Sequence, residues 1–242
     1  MTTHPIIIFD SGVGGFSILR EVLSRNYSHS IIYLADQAGF PYGDKSPAWI
    51  KNRLSYIASW ANSYSPAIFV LACNTATVSG VDYLRSLLPC PVVAVEPVTK
   101  PLSQYKHPLL LATSTTLQTA NIDNIATLCP KGLVQAIEDM NQGKIKKIIT
   151  SLDSIIKNQH INAIGLSCTH YPLVSDIIVQ LYPDITIIDP SVAVVDHFFS
   201  LIKFKKTGQS QLSFHTTSSP TTLTNQVRYY LDLNITAKGI EI

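Results

Sequence analysis

Two cysteines follow strand-like apolar segments in matching sequence contexts. Cys73 comes directly after the run 67–72, and Cys168 comes directly after the run 162–167. Each has a threonine one or two positions later, and each precedes a segment that reads as a helix. A chain with one thiol at the end of a buried strand in each of two similar halves can present two thiols to one ligand. This arrangement suits the removal of a proton from one face of a carbon and its return to the opposite face.

The position of each thiol before a helix predicts reactivity. The dipole and free N–H groups of a helix N-terminus stabilise a thiolate and lower a thiol pKa from its usual ~8.5. Cysteine is also often a small buried hydrophobic residue with a structural role. Two cysteines in matching contexts, each followed by polar groups, favour a catalytic role instead. Cys90 lies between two prolines and Cys129 precedes Pro130, so structural roles are expected for both.

A glycine-rich turn follows the first strand, in the sequence Asp10-Ser11-Gly12-Val13-Gly14-Gly15. It fails the dinucleotide-binding pattern, because the third glycine position is Ser17 and an acid at the strand end repels a pyrophosphate. We interpret it as an anion-binding turn for a carboxylate, with Asp10 as a polar or acid/base group. A tight turn whose aspartate only caps a helix is the alternative.

Further polar groups follow other predicted strands. His170, two residues after Cys168, either sets the proton balance of that thiol, binds substrate, or is structural. The segment Pro41-Tyr42-Gly43 is a turn. Thr113 and Thr116 are either hydroxyl donors to a carboxylate or an N-cap and its neighbour.

The elements that position these groups alternate between short β-branched runs and longer amphipathic ones, which predicts an α/β fold with parallel sheets flanked by helices. Residues 1–95 and 208–242 are expected to form one domain, completed by the tail, and residues 96–207 a second. Ser46 predicts an N-cap with Pro47 at the first helical position. We expect strands at 6–9, 31–34, 67–72, 108–111, 163–166 and 185–188, and helices at 16–24, from 47, at 145–156, from 172, from 192 and, after a polar stretch at 206–210 and a strand, up to 231.

The composition argues against several classes of protein function. Charged residues form 14% of the 242-residue chain, against a typical value of about 25%, so a compact, well-buried protein is expected. A net charge of +2 without a long basic run argues against a nucleic-acid partner. No stretch approaches 18 apolar residues, which argues against a membrane span, and the N-terminus lacks the basic region of a signal peptide. We therefore expect a cytoplasmic protein with four thiols, and the lack of a CxxC pair argues against a metal site.

Several motifs together resemble one protein family. In family order and at family-like spacing, the chain contains Asp10-Ser11-Gly12-Val13-Gly14-Gly15, Pro41-Tyr42-Gly43, Ala72-Cys73-Asn74-Thr75-Ala76, Val95-Glu96-Pro97 and Cys168-Thr169-His170-Tyr171-Pro172. Any one of these would be weak evidence, whereas the set is specific. The chain resembles the glutamate racemases, of the cofactor-independent aspartate/glutamate racemase superfamily.

The resemblance implies two pseudosymmetric α/β domains with the active site between them, and interconversion of L- and D-glutamate without a cofactor, to supply peptidoglycan synthesis. It implies Cys73 and Cys168 as acid/base thiols, assisted by Asp10 and His170 respectively, with Glu138 as the equivalent of a further family acid. A homodimer is compatible with the family. The implied substrate-binding positions are Ser11, Pro41, Tyr42, Gly43, Asn74, Thr75, Thr113, Thr116 and Thr169.

The chain departs from the family pattern at three positions, and three other functions are alternatives to glutamate racemisation. Ser167 replaces a family glycine before the second cysteine, Ala112 replaces the glycine of a Gly-Thr pair, and Pro190 replaces the serine of an Ile-Asp-Ser segment. The rivals are a racemase of another small acid such as aspartate, a Cys–His hydrolase built on Cys168 and His170, and a non-enzymatic amino-acid-binding protein. The hydrolase would leave Cys73 without a role.

Overall fold

The computed structural model describes residues 4–25, 29–120, 122–201 and 211–242. Strands and helices alternate along most of the chain, with three consecutive helices at 133–158. The strands are β1 (Ile6–Asp10), β2 (Ser30–Ala35), β3 (Ile68–Leu71), β4 (Val92–Ala94), β5 (Pro108–Ala112), β6 (Ala126–Leu128), β7 (Ala163–Ser167), β8 (Thr186–Ile188), β9 (Gln211–Thr216) and β10 (Lys238–Gly239). The helices are α1 (Phe16–Ser24), α2 (Pro47–Asn62), α3 (Asn74–Leu87), α4 (Thr99–Leu102), α5 (Ser114–Thr119), α6 (Leu133–Glu138), α7 (Gln142–Thr150), α8 (Asp153–Asn158), α9 (Ser175–Leu181), α10 (Ser191–Leu201) and α11 (Pro220–Leu231), with 3₁₀ turns at Tyr42–Asp44 and Tyr171–Val174.

The strands form two sheets with one repeated order. The first sheet runs β10-β9-β2-β1-β3-β4 and the second runs β6-β5-β7-β8. The order β2-β1-β3-β4 therefore recurs as β6-β5-β7-β8, and the strand pairings within both sheets are parallel. The predicted α/β class, with two similar halves that each contain a parallel sheet flanked by helices, is confirmed.

Central strands of both sheets are buried on two faces, as parallel strands between helical layers must be. In β1, Ile6 and Ile8 join the core that includes α1, whereas Ile7 and Phe9 join the core that includes α2. This alternation follows from the two-residue period of a strand. Helix α2 begins where the sequence predicts, since the Ser46 side chain accepts a hydrogen bond from the N–H of Trp49 and Pro47 occupies the first turn.

The tail returns to the first sheet. Strand β9 pairs with β2 from Ser30↔Gln211 to Ala35↔Thr216, and β10 pairs with β9. Helix α11 follows β9 and contacts α1. The domain limits 1–95, 96–207 and 208–242 stay a prediction, and the polar stretch at 206–210 lies outside the described residues.

One predicted helix is divided in two. The sequence predicts a single helix at 145–156, but α7 ends at Thr150 and α8 begins at Asp153. The N–H of Leu152 bonds to the carbonyl of Ile149, and the Ser151 hydroxyl bonds to the carbonyl of Ile148. These three-residue bonds tighten the chain between the helices, and they keep Ile149 and Leu152 in the core.

Candidate active site

The two thiols lie at equivalent points of the two sheets. Cys73 is the N-cap residue of α3, just after β3, and Cys168 directly follows β7. In a doubly wound sheet, ligands bind beyond the carboxyl ends of the strands where the strand order reverses, here between β1 and β3 and between β5 and β7. Both cysteines line one cavity of about 360 Å³, within the size range of small-molecule sites.

Most of the side chains singled out in the sequence meet at this cavity. Those that line it with the two thiols are Ser11, Pro41, Tyr42, Gly43, Asn74, Thr75, Thr113, Thr169 and His170. Asp10, Thr116 and Glu138 are buried and lie outside this lining.

His170 connects Cys168 to Glu138. Its Nδ1 atom lies 3.8 Å from the sulfur of Cys168, and its Nε2 atom lies 2.7 Å from Oε1 of Glu138. Burial alone would lower the pKa of His170, but the hydrogen bonds and charges of Cys168 and Glu138 raise that pKa well above its ordinary value. The raised pKa favours the imidazolium form, which would stabilise negative charge on the Cys168 sulfur.

Glu138 is held by the glycine-rich turn. The N–H of Val13 donates a 2.7 Å hydrogen bond to Oε1 of Glu138. A Cβ atom at Gly12 would lie only 1.8 Å from the same oxygen, and one at Gly14 would lie 2.5 Å from the His170 ring. These glycines therefore permit the two halves to approach. Burial raises the pKa of Glu138, but His170 and the surrounding donors more than offset this and hold it below its ordinary value.

The turn binds an anion, as predicted, but the anion is not a free ligand. The N–H of Val13 serves Glu138, and the N–H of Gly12 donates a 2.8 Å hydrogen bond to Oδ1 of Asp10. The protein's own carboxylates therefore occupy these two N–H groups, and a substrate carboxylate at this turn stays a prediction. Ser11 is the member of the turn that faces the cavity.

Asp10 is fully buried and joins the two halves. Its Oδ2 atom accepts a 2.9 Å hydrogen bond from the hydroxyl of Thr169. Burial raises the pKa of Asp10, and the positive charge of His170 offsets part of the rise.

Cys73 differs from the expectation based on its helix. Burial and the charge of Asp10 raise its pKa above the ordinary value, and the N–H of Ala76 and the hydroxyl of Ser11 offset only part of this. Its sulfur lies 3.8 Å from the Ser11 hydroxyl. The predicted lowering of the Cys73 pKa is therefore wrong: removal from water outweighs the helix N-terminus.

Asn74 is one of several buried polar side chains that lack a hydrogen-bond partner among the described residues. It is 2% exposed and lines the cavity, yet neither its Nδ2 nor its Oδ1 atom has a hydrogen-bond partner among the described residues. A buried amide left unpaired is costly. Its position on the cavity wall therefore indicates that a ligand supplies its partners.

Three threonines form a hydroxyl chain across the cleft. The hydroxyl of Thr113 lies 2.9 Å from that of Thr75 and 3.0 Å from that of Thr116. Thr113 is also the N-cap of α5, and its role as a hydroxyl donor to a carboxylate stays a prediction. Thr116 supports Thr113 and does not itself line the cavity.

An ion pair between the buried Asp36 and the partly buried Arg53 supports the Pro41–Gly43 turn through Tyr42. The Tyr42 hydroxyl donates a 2.6 Å hydrogen bond to Oδ2 of Asp36, which is fully buried. Arg53 binds both oxygens of Asp36, at 2.8 and 2.6 Å. The Tyr42 hydroxyl is thus used in the hydrogen bond to Asp36, and other atoms of Tyr42 line the cavity.

Sequence reasoning missed part of the lining. Cys129, expected to be structural, lines the cavity, and its sulfur accepts a 3.6 Å hydrogen bond from the Ser114 hydroxyl. It directly follows β6, a short strand that the sequence pattern does not reveal. The other missed lining residues are Phe40, Asp44, Ser114, Pro130, Lys131, Gly132, Val134, Gln135 and Tyr171.

The described part of the chain contains neither a metal-binding cluster nor a membrane-spanning helix. No cluster of three or more His, Cys, Asp or Glu side chains there is placed to hold a metal ion. No helix among those residues combines the length and apolar character needed to cross a membrane.

The amino-acid sequence is similar to those of known proteins over most of its length. It is 37% identical to the glutamate racemase of Stutzerimonas stutzeri over 82% of this chain and 81% of that protein. It is 38% identical to the glutamate racemase of Pseudomonas paraeruginosa over 78% of each chain. The chain belongs to the glutamate racemase family. A crystal structure of glutamate racemase from Francisella tularensis in complex with D-glutamate has the same fold, with a TM-score of 0.82, 24% identity, and coverage of 100% of this chain and 98% of that one. No family model matches the chain.

Structure explains one departure from the glutamate racemase family pattern. Ser167, where the family has glycine, is fully buried, and its hydroxyl accepts a 2.9 Å hydrogen bond from the N–H of Val98. The extra hydroxyl thus satisfies the main chain where the first half leads into the second. Asp189, before Pro190, accepts a 2.8 Å hydrogen bond from the N–H of Ser191 at the start of α10. Nothing in the structure explains Ala112 in place of glycine.

Proposed function

We propose that the chain interconverts L- and D-glutamate by proton transfer between two thiols, without an added cofactor. The observation that carries the proposal is that Cys73 and Cys168 end equivalent strands of the two sheets and line one cavity. Membership of the glutamate racemase family supports glutamate as the substrate.

The two thiols have different surroundings. Nδ1 of His170 lies 3.8 Å from the Cys168 sulfur, whereas burial and the charge of Asp10 raise the pKa of Cys73. A resting site that holds one thiolate and one thiol is the state that a two-base racemase needs. Asp10 and His170 thus act in opposite senses on the two sulfurs.

The proton balance of one turnover is simple. The Cys168 thiolate takes the α-proton of one enantiomer, and the electron pair of the C–H bond delocalises into the adjoining carboxylate. The Cys73 thiol then gives its proton to the opposite face of the α-carbon. The product has inverted configuration, and the negative charge has moved from Cys168 to Cys73. Exchange of protons with water, or turnover of the other enantiomer, restores the starting state.

Polar groups of the cavity wall are suited to the developing negative charge. Fixed dipoles in a water-poor site stabilise a carbanion strongly, because they need no reorganisation. The unpaired amide of Asn74 and the hydroxyls of Ser11, Thr75 and Thr113 supply such dipoles. In this proposal Asn74 binds a substrate carboxylate, and Thr169 orients Asp10.

The decisive experiment follows the optical signal of L-glutamate with purified protein under reducing conditions and no added cofactor. Decay to zero, also from D-glutamate, is expected. Cys73→Ala and Cys168→Ala should each lower the rate roughly 10²- to 10⁴-fold, and Cys90→Ala, which does not touch the cavity, is the control. Full activity of Cys73→Ala would overturn the two-thiol mechanism. Racemisation of aspartate instead of glutamate would keep the mechanism and correct the substrate.

The wider role follows from the same proposal. D-glutamate formed here would serve peptidoglycan synthesis, the role that family membership supports. Cytoplasmic location, the lack of nucleic-acid and membrane partners and a homodimeric assembly stay predictions from the sequence.

A further inference from the structure

Helix α11 contributes a buried amide to the group of side chains behind Cys168. Gln226 is 1% exposed. Its Nε2 atom lies 2.8 Å from the main-chain oxygen of Glu138 and 3.0 Å from Oε2 of the same residue. Both of these oxygens only accept hydrogen bonds, so the amide nitrogen must face Glu138. The orientation of Gln226 is therefore fixed.

The amide oxygen of Gln226 is also used. It accepts a 2.8 Å hydrogen bond from Nε2 of Gln37, which lies 3.4 Å from Oε2 of Glu138. The Gln37 oxygen in turn accepts a 2.9 Å hydrogen bond from the hydroxyl of Thr216. Each member of this chain donates in the direction of Glu138, so the chain stabilises the ionised carboxylate.

The two carboxylate oxygens of Glu138 thus accept hydrogen bonds from different donors. Oε1 accepts from His170 and from the N–H of Val13, both at 2.7 Å. Oε2 accepts from Gln226 and Gln37. Without the donors on Oε2, the carboxylate could rotate about its terminal bond, and its buried charge would lose part of its compensation.

We propose that Gln226 is a positioning residue for the second thiol, because it fixes the carboxylate that orients and charges His170 beside Cys168. This inference rests on the proposed function, in which Cys168 exchanges the α-proton. Gln226 touches neither the cavity nor the thiol, so its effect on the reaction passes through Glu138 and His170.

Other titratable groups also face this cluster. The charges of Asp10 on β1 and Cys168 after β7 act on His170. The phenols of Tyr33 on β2 and Tyr230 on α11 lie within the field of Glu138. All of them remain in the variants that remove only Gln226, so a change in titration reports the loss of its hydrogen bonds.

The test compares Gln226→Met with Tyr230→Phe. Methionine has a similar length and no donor. Tyr230→Phe removes another hydrogen bond from α11 to α6, the 2.6 Å bond from the Tyr230 hydroxyl to the carbonyl of Ile137, without touching the carboxylate. It therefore controls for looser packing of α11.

In Gln226→Met we expect kcat/KM to fall roughly 10- to 100-fold, the loss typical of a hydrogen bond to a charged group. The pH profile of kcat/KM, which reports groups of the free enzyme, should narrow, since the pKa of Glu138 rises and that of His170 falls. Tyr230→Phe should keep the wild-type profile. Equal profiles in the two variants would overturn the proposal.

A second measurement separates this proposal from the proposed function. The ring titration of His170 can be followed by NMR in labelled protein, with His170→Asn to assign the signal, and it requires no turnover. A lower His170 pKa in Gln226→Met, but not in Tyr230→Phe, supports the positioning role even if glutamate is not the substrate. An unchanged titration in Gln226→Met overturns that role even if the protein is an active racemase.

Discussion

Nε2 of His170 lies 2.7 Å from Oε1 of Glu138, and both side chains are nearly inaccessible to solvent. This buried pair makes stability depend on pH. Glu138, with a pKa lowered from 4.5 by folding, contributes stability above pH 4.5 that is lost as the pH falls through its folded pKa. His170, with a pKa raised from 6.5, contributes stability below pH 6.5 that is lost as the pH rises through its folded pKa.

Glu138→Gln should therefore lower the free energy of unfolding most between pH 4.5 and 6.5, by as much as about 3–5 kcal/mol for a broken buried pair. Denaturant unfolding at several pH values measures the difference. Lys157→Gln, which breaks the exposed pair with Asp153, should cost about 0.5 kcal/mol or less. A Glu138→Gln effect that is the same at pH 5 and pH 9 would contradict the charged pair.

Asn74→Ala should separate binding from stability. Because the amide has no partner in the described residues, its removal should leave the melting temperature unchanged or raise it. The kcat/KM for glutamate should fall roughly 10- to 100-fold, as two hydrogen bonds to the substrate are lost. The control is Ser79→Ala, since the Ser79 hydroxyl is also buried without a partner among the described residues but lies outside the cavity lining; it should leave kcat/KM unchanged. A large loss of stability in Asn74→Ala would refute the binding role.

Gly12→Ala should damage both folding and activity. The added methyl would lie 1.8 Å from Oε1 of Glu138, so the Glu138 side chain must leave the N–H of Val13. We expect a loss of about 1–3 kcal/mol of stability together with loss of activity. Gly143→Ala in α7, where the nearest atom is 3.7 Å away, should instead stabilise the protein by roughly 0.5–1 kcal/mol. Normal activity in Gly12→Ala would show that the Glu138 contact is dispensable.

Arg53→Met should lower the free energy of unfolding, because it leaves the buried carboxylate of Asp36 without its charged partner. Arg53 supplies two hydrogen bonds to this carboxylate, and its loss should cost about 3–5 kcal/mol. The Michaelis constant should also rise, because Asp36 holds Tyr42 at the cavity. The double variant Asp36→Asn/Arg53→Met should recover part of the stability, whereas Arg85→Met, at an exposed pair with Asp82, should have little effect. Stability of Arg53→Met equal to that of Arg85→Met would contradict this account.

Local signals in the sequence predicted much of this structure. Helix α2 was predicted from Ser46 and Pro47, and the two thiols were placed at strand ends because short apolar runs precede them. Cys129 was missed because the three residues of β6 are only partly buried and carry no clear strand pattern. The break between α7 and α8 was missed because Ile149 and Leu152 keep helical spacing through it.

Long-range contacts could not be read from the chain. The N–H of Val13 and the carboxylate of Glu138 are 125 positions apart, and nothing near either residue indicates that they meet. Gln226 is 88 positions from Glu138 and reads as an ordinary polar residue of a surface helix. The raised pKa of Cys73 likewise depends on burial between two halves, which a local helix-dipole argument does not include.

The unequal surroundings of the two thiols have a kinetic consequence for a glutamate racemase. Cys168 faces the ring of His170, whereas Cys73 faces the Ser11 hydroxyl, the N–H of Ala76 and the carboxylate of Asp10. Mirror-image substrates have the same free energy in water, so the equilibrium constant is unity for any arrangement of the site. The Haldane relation then requires kcat/KM to be the same in both directions. The asymmetry can therefore appear only as a turnover number and a Michaelis constant that are both larger for one enantiomer than for the other.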